Sequence, residues 1–197
     1  KYSGYQKVAA NVIAMDGTNW FSSFTIDKGS KEGIKKGMNV IAGSGLVGIV
    51  TDVGPNFAKV RSIIDDSSNV SSMVLTTKDN FNVGGSLKSM NQDKVLPFTE
   101  LRDEDDKVKV GDPVVTSYVS DQYQEGILIG YIASIEKNAN NLTKSGTITP
   151  VVDFQHLREV LVITTLKDTG EKELSSQKAS DTQTETQDNT ETQKSQE

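Results

Sequence analysis

Gly43-Ser44-Gly45-Leu46-Val47-Gly48 spells G-x-G-x-x-G, the glycine spacing that lets a backbone turn approach a pyrophosphate. That chemistry needs a helix to open at the glycines, so that its N-terminal N–H groups and dipole meet the anion. Leu46 to Pro55 is instead rich in β-branched residues, carries two glycines and ends at a proline, a poor helix. The run is expected to be a β-hairpin turn.

A serine hydrolase would need a base, and the chain has one histidine, His156, in Asp153-Phe154-Gln155-His156-Leu157. The nucleophile would have to be Ser44, inside the glycine turn, or Ser117 in Val115-Thr116-Ser117-Tyr118, which lacks the Gly-x-Ser-x-Gly elbow. A strand-end histidine with a structural hydrogen bond is the expected reading, and a chymotrypsin-like hydrolase using His156 is the competing one. The absence of cysteine removes disulfides, thiolate metal ligands and thiol nucleophiles. Acids cluster at Asp65-Asp66 and at Asp103-Glu104-Asp105-Asp106. Counted from Asp103, the sixth and twelfth positions hold Val108 and Val114, where a calcium loop requires Gly and Glu. Both clusters are expected to be solvated turns. Trp20, the only tryptophan, falls in an early strand and is expected in the core rather than on a sugar platform. No catalytic residue, cofactor or metal site is expected. Tyr118 and Tyr123, in a loop between apolar runs, are the candidates for contact with a partner; two tyrosines folded back over a barrel mouth fit the same residues.

The elements that would position these residues are strands. Val8, Ala10, Val12 and Ala14 alternate, as do Ser22, Phe24 and Ile26, and Ile127, Ile129, Tyr131, Ala133 and Ile135 give the cleanest period of two. Further apolar runs fall at 39–42, 46–53, 58–64, 72–76, 95–101, 114–117, 147–154 and 160–166. Only 31–36 and 156–159 could form a helical turn. Gly130, inside a strand pattern, marks a bend or a close backbone approach. Lys36-Gly37-Met38-Asn39-Val40-Ile41 followed by Gly45-Leu46-Val47-Gly48 is echoed by Val110-Gly111-Asp112-Pro113-Val114-Val115 followed by Gly126-Ile127-Leu128-Ile129-Gly130. One small barrel per copy is the simplest account, so the fold expected is all-β, two small β-barrel lobes side by side.

From Lys167 onward, eight acids against four bases carry −4 of the total −6 charge. This stretch has too little apolar surface to offset its ordering entropy, so a disordered acidic tail over 167–197 is expected. A near-neutral body without a basic stretch interleaved with aromatics argues against nucleic acid. No apolar run reaches the ~18 residues of a membrane span. The start at Lys1, with neither initiator Met nor signal pattern, suggests a fragment whose N-terminal part is missing, so that any membrane anchor would lie upstream.

Taken in order, Val8-x-Ala10-x-Val12-Ile13, Trp20, Ile26-Asp27-Lys28-Gly29-Ser30-x-x-Gly33-Ile34-x-x-Gly37-Met38-x-Val40, Gly45-Leu46-Val47-Gly48-x-Val50, Val60-x-x-Ile63-x-Asp65, Gly111-Asp112-x-Val114-Val115-Thr116-Ser117, Glu125-Gly126-Ile127-x-Ile129-Gly130 and Pro150-x-Val152-Asp153 resemble the extracytoplasmic region of the MreC family of bacterial rod-shape-determining proteins, over about residues 7–166. The resemblance implies a non-enzymatic scaffold of the cell-elongation machinery, single-pass in the cell membrane with this part outside the cytoplasm. It implies self-association, and as partners a class B penicillin-binding protein that cross-links peptidoglycan and the membrane protein MreD. It further implies that residues 1–6 end a coiled coil or linker, that 7–60 with 148–166 form the first lobe, and that 61–147 form the second. Tyr118 stands where the family usually has Gly, and Tyr123-Gln124-Glu125-Gly126 replaces F-P-x-G, so no residue-level footprint is carried over. A generic extracellular ligand-binding barrel is the other alternative.

Overall fold

Alternating side chains make strands when one face is buried, and twelve form among the described residues, 4–15, 21–139 and 142–167 of the computed structural model. They are β1 Lys7–Met15, β2 Ser23–Ile26, β3 Asn39–Ala42, β4 Gly45–Val53, β5 Ala58–Ser62, β6 Asn69–Val74 and β7 Asn80–Gly84. After helix α1, Leu87–Asp93, come β8 Leu96–Leu101, β9 Pro113–Thr116, β10 Leu128–Lys137, β11 Lys144–Pro150 and β12 Glu159–Ile163. A 3₁₀ turn covers Ser30–Glu32. Residues 16–19, Trp20 and the expected tail beyond Lys167 lie outside the described residues.

The pairings close twice. β1 pairs β2, β2 pairs β5, β5 pairs β4, β4 pairs β3, β3 pairs β12, and β12 returns to β1, all antiparallel. A second ring runs β6, β7, β8, β11, β10, β9 and back to β6, again all antiparallel. The rings touch where β10 meets β4 in a parallel pairing at Leu128 and Gly45. The expected all-β fold of two small barrels side by side is therefore present. Closure uses up the strand edges that a single sheet would expose, so loops and outer faces remain to meet a partner.

Inward positions fill both barrels. Phe24, Ile26, Val40, Leu46, Val60 and Val162 are buried in the first, and Val70, Phe81, Val83, Phe98, Val114 and Ile148 in the second. Phe81 and Phe98 meet with ring centroids 5.1 Å apart, a separation favourable for aromatic pairs. The glycine run is a hairpin: Ala42 pairs Gly45 across Gly43-Ser44, and Gly43 has φ +58°, as a II′ turn requires at its first central position. No helix opens there. The sequence echo is structural too. Gly37 N–H donates to the Val50 carbonyl and Val50 N–H to that of Met38, while Gly111 N–H donates to Ile132 and Ile132 N–H to Asp112.

Three elements differ from expectation. β7 was not anticipated, because Asn80-Phe81-Asn82-Val83-Gly84 has only two apolar residues, though both are buried. α1 also departs from the pattern: it is capped by Ser86, whose side chain accepts from Ser89 N–H, and buries only Met90. The apolar run at 147–154 is a strand only as far as Pro150; Val151 N–H still donates to the Ile129 carbonyl at 3.1 Å, and the chain then bends away.

Candidate functional site

The loop between β9 and β10 hangs from the second barrel and docks on the first. Its root is fixed by Thr116: the hydroxyl donates to the Gln124 carbonyl at 2.6 Å and accepts from Ile127 N–H at 2.8 Å. Asn39, at the start of β3 in the first barrel, receives it. Asn39 Nδ2 donates to the Gln122 carbonyl at 2.9 Å, and Gln124 N–H donates to Asn39 Oδ1 at 2.7 Å. Gln124 Nε2 then reaches the Thr165 carbonyl beyond β12 at 3.1 Å. Asn39 and Gln124 are buried, so these bonds satisfy amides that would otherwise be costly to bury.

The two tyrosines part company on this loop. Tyr118 is 54% exposed and sits beside Val119 at 59%. The Tyr118 carbonyl accepts from Lys167 Nζ at 3.4 Å. Tyr123 is buried in the core, correcting its reading as an exposed contact residue. It belongs to the main hydrophobic core, and its N–H donates to Ser120 Oγ at 3.0 Å. Burial pushes the Tyr123 phenol up to about 12, against the opposing charge of Arg61. Nearby, Arg61 Nε is buried without a hydrogen-bond partner.

The acid run 103–106 is not wholly a solvated turn, and here too the structure corrects the expectation. Asp103 is buried and accepts from Lys107 N–H at 2.8 Å and Val108 N–H at 3.1 Å. Buried Lys144, entering from β11, reaches Asp103 Oδ2 at 2.6 Å and Asp106 Oδ1 at 2.5 Å, and Lys137 reaches Asp106 at 2.9 Å. Burial of Asp103 opposes its ionisation, but the bonds from Lys144 and two amides outweigh it and lower its pKa. The bonds from Lys144 and Lys137 bring Asp106 down to about 2. Clefts of about 490 and 270 Å³ flank this loop. Their walls are mostly groups already paired with one another. Among the described residues no cluster of three or more His, Asp or Glu could hold a metal ion. At the other acid pair, Asp65 and Asp66 accept from the backbone N–H groups of Ser67 and Leu87, as turn aspartates do.

His156 is exposed, and its Nδ1 pairs with Asp153 Oδ2 at 2.8 Å. That bond lowers the Asp153 pKa. Ser117 is fully buried, donates to Asn80 and accepts from Val119 N–H. Ser44 sits at the tip of the β3–β4 hairpin. The serine-hydrolase alternative thus finds no nucleophile–base pair here, the triad's first requirement.

Two apolar outer faces remain. On the second barrel, Tyr131 on β10 lies opposite Pro113 on β9, whose carbonyl accepts from Leu75 N–H. Leu75, Tyr131 and nearby Val110 are exposed. On the first barrel, Ile13 and Met15 are exposed along β1. Neither face was legible beforehand, because exposure in a strand depends on which side the core takes.

Among the described residues no helix is long and apolar enough to cross a membrane. The family model described as "Rod shape-determining protein MreC, barrel core" matches residues 12–164. The cell shape-determining protein MreC of Listeria monocytogenes is 34% identical over 161 residues, covering 81% of this chain and 54% of that protein. The Bacillus subtilis protein of the same name is 29% identical over 166 residues, covering 81% and 57%. The chain thus spans about half the length of the curated relatives it matches. A solved Listeria MreC structure superposes with TM-score 0.72 at 33% identity, over 84% of this chain and 79% of that one. A chain of the complex between Penicillin-Binding Protein (PBP2) and MreC from Helicobacter pylori shares the fold, with TM-score 0.59 at 12% identity over 81% and 100%. Two closed barrels, the doubled hairpin and a family match running from β1 to the end of β12 agree: the chain belongs to the MreC family of rod shape-determining proteins.

Proposed function

We propose that this chain is the extracytoplasmic, two-barrel part of a single-pass membrane scaffold of the cell-elongation machinery, which gathers partners and transforms no substrate. The partners in this reading are a class B penicillin-binding protein, the membrane protein MreD and further copies of the chain itself. A membrane helix and a coiled coil ending near residues 1–6 would precede the first lobe, residues 7–60 with 148–166, and the second, residues 61–147. The observation that carries the reading is the docked loop. It holds Tyr118 and Val119 exposed on a backbone fixed by Asn39, Thr116 and Ser120. A pre-organised aromatic and aliphatic pair loses little entropy on contact, which is what interface anchors require. The Helicobacter pylori relative solved with PBP2 supplies the precedent for the partner class. Such a scaffold would act by binding one conformation of the transpeptidase better than another.

The test is equilibrium binding of the intact chain to the class B penicillin-binding protein of the same cell. Tyr118→Ala with Val119→Asp is expected to weaken binding about tenfold or more, equivalent to about 1.4 kcal/mol, with an unchanged melting temperature. Equal affinity in the variant would remove the loop from the interface.

A further inference from the structure

The chain is acidic, with a net charge of −6, yet one face of the first barrel gathers lysines. Between β2 and β3 the segment 28–36 carries Lys28, Lys31, Lys35 and Lys36 against a single acid, Glu32. Lys31, Lys35 and Lys36 are exposed, and among the described residues none has a carboxylate partner. The Glu32 carboxylate is turned back to accept from Gly29 N–H at 2.8 Å, and Lys28 lies beside Asp27. The segment is rigid where it matters. Ile34 is buried beneath it, and the 3₁₀ turn fixes its middle.

An aromatic side chain arrives at this face from more than twenty residues away. The segment is bonded to the tip of the β4–β5 hairpin, where Ser30 N–H donates to the Gly54 carbonyl and Lys31 N–H to that of Pro55. Packing is so close that a Cβ on Gly29 would stand 2.3 Å from the Gly54 oxygen and 2.7 Å from Phe57 N. Phe57 lies over Gly54 and remains 40% exposed, flanked by exposed Pro55 and Asn56. The patch therefore pairs unpartnered ammonium groups with an exposed aromatic edge.

We propose that this face, Lys31, Lys35 and Lys36 with Phe57, docks on an anionic lipid bilayer. Lysine is a flexible point charge suited to a diffuse field of headgroups rather than to bidentate recognition of one ligand. An aromatic beside such charges enters the headgroup boundary, where its apolar ring is drawn out of water. A soluble polyanion would engage the lysines alone and leave Phe57 idle. This contact goes beyond the proposed scaffold role: it would orient the first barrel on the membrane whether or not the penicillin-binding protein is bound.

The test is co-sedimentation of the intact chain with vesicles of phosphatidylcholine alone and of phosphatidylcholine with phosphatidylglycerol, at low and high salt. Binding is expected only to the mixed vesicles and is expected to fall with salt. Lys35→Glu with Lys36→Glu should abolish it, and Phe57→Ser should weaken it several-fold. Lys88→Glu with Lys109→Glu, an equal charge change on exposed sites of the second barrel, should leave it intact. Melting curves of each variant check the fold. No sedimentation with mixed vesicles would overturn the proposal, as would equal loss in the two lysine pairs, which would mean net charge alone. Unchanged binding by Phe57→Ser, with displacement by inorganic polyphosphate, would assign the face to a soluble polyanion instead and overturn it too.

Discussion

Lys144 ties β11 to the acidic loop 103–106 at one end of the second barrel. Its ammonium group bridges Asp103, whose side chain is 1% exposed, and Asp106. Removing one partner of a buried pair leaves a charge without compensation, at about 3–5 kcal/mol, whereas replacing both by apolar groups is often neutral. Lys144→Met alone is therefore expected to lower the melting temperature strongly, and Asp103→Leu with Lys144→Met to recover most of the loss. Thermal melts of the two variants check this. The pH dependence follows in sign. Asp103 and Asp106 have lowered folded-state values, so their contribution is present above the unfolded carboxylate range near pH 4 and lost as pH falls toward about 2. Lys144 and Tyr123 are raised, so theirs is present below about pH 10 and lost above it. Asn39 is the second residue of this kind. Asn39→Ala would strip the Gln122 carbonyl and Gln124 N–H of their partners, at about 2 kcal/mol. Hydrogen exchange at Gln124 is expected to rise well before that of the β3 strand. Equal protection in the variant would contradict the clamp.

At the scale of elements, what was legible followed side-chain period. β1, β4, β8, β10 and β12 could be read because alternating or continuous apolar runs ended at glycine or polar turns. The nucleotide-like glycine run could be dismissed because no helix-forming residues followed it. β7 and α1 escaped because so few of their residues are apolar. The buried state of Asp103 escaped for a different reason. Its partner Lys144 lies forty-one residues along the chain, and only the β11–β8 pairing brings the two together. Tyr123 likewise looked like its neighbour Tyr118 until the loop's docking on Asn39 separated their fates. Gly130 was readable as a close approach, and the cause is now plain: a Cβ there would lie 2.2 Å from the Thr149 carbonyl. Gly130→Ala is expected to force β10 off β11 and cost about 1–3 kcal/mol, measured as a shift in denaturant midpoint with unchanged slope. A midpoint equal to that of the parent would show that the strands yield freely.

For the whole molecule, a duplicated hairpin builds two closed rings that meet at β4 and β10 and are stitched by the β9–β10 loop. Closure removes free strand edges as a mode of contact, so partner recognition falls to loops and outer faces. Among the described residues, Tyr118 with Val119, the Leu75–Tyr131 face, Ile13 and Met15 on β1, and the lysine face with Phe57 are surfaces this architecture leaves available. The scaffold reading says that such surfaces alter the behaviour of a transpeptidase without chemistry of their own. Its most direct test is the rate of peptidoglycan cross-linking by the class B penicillin-binding protein in membranes, with and without this chain in its membrane-anchored form. The account predicts faster cross-linking when the chain is present, and loss of that gain with Tyr118→Ala and Val119→Asp. An identical rate with and without the chain would contradict it.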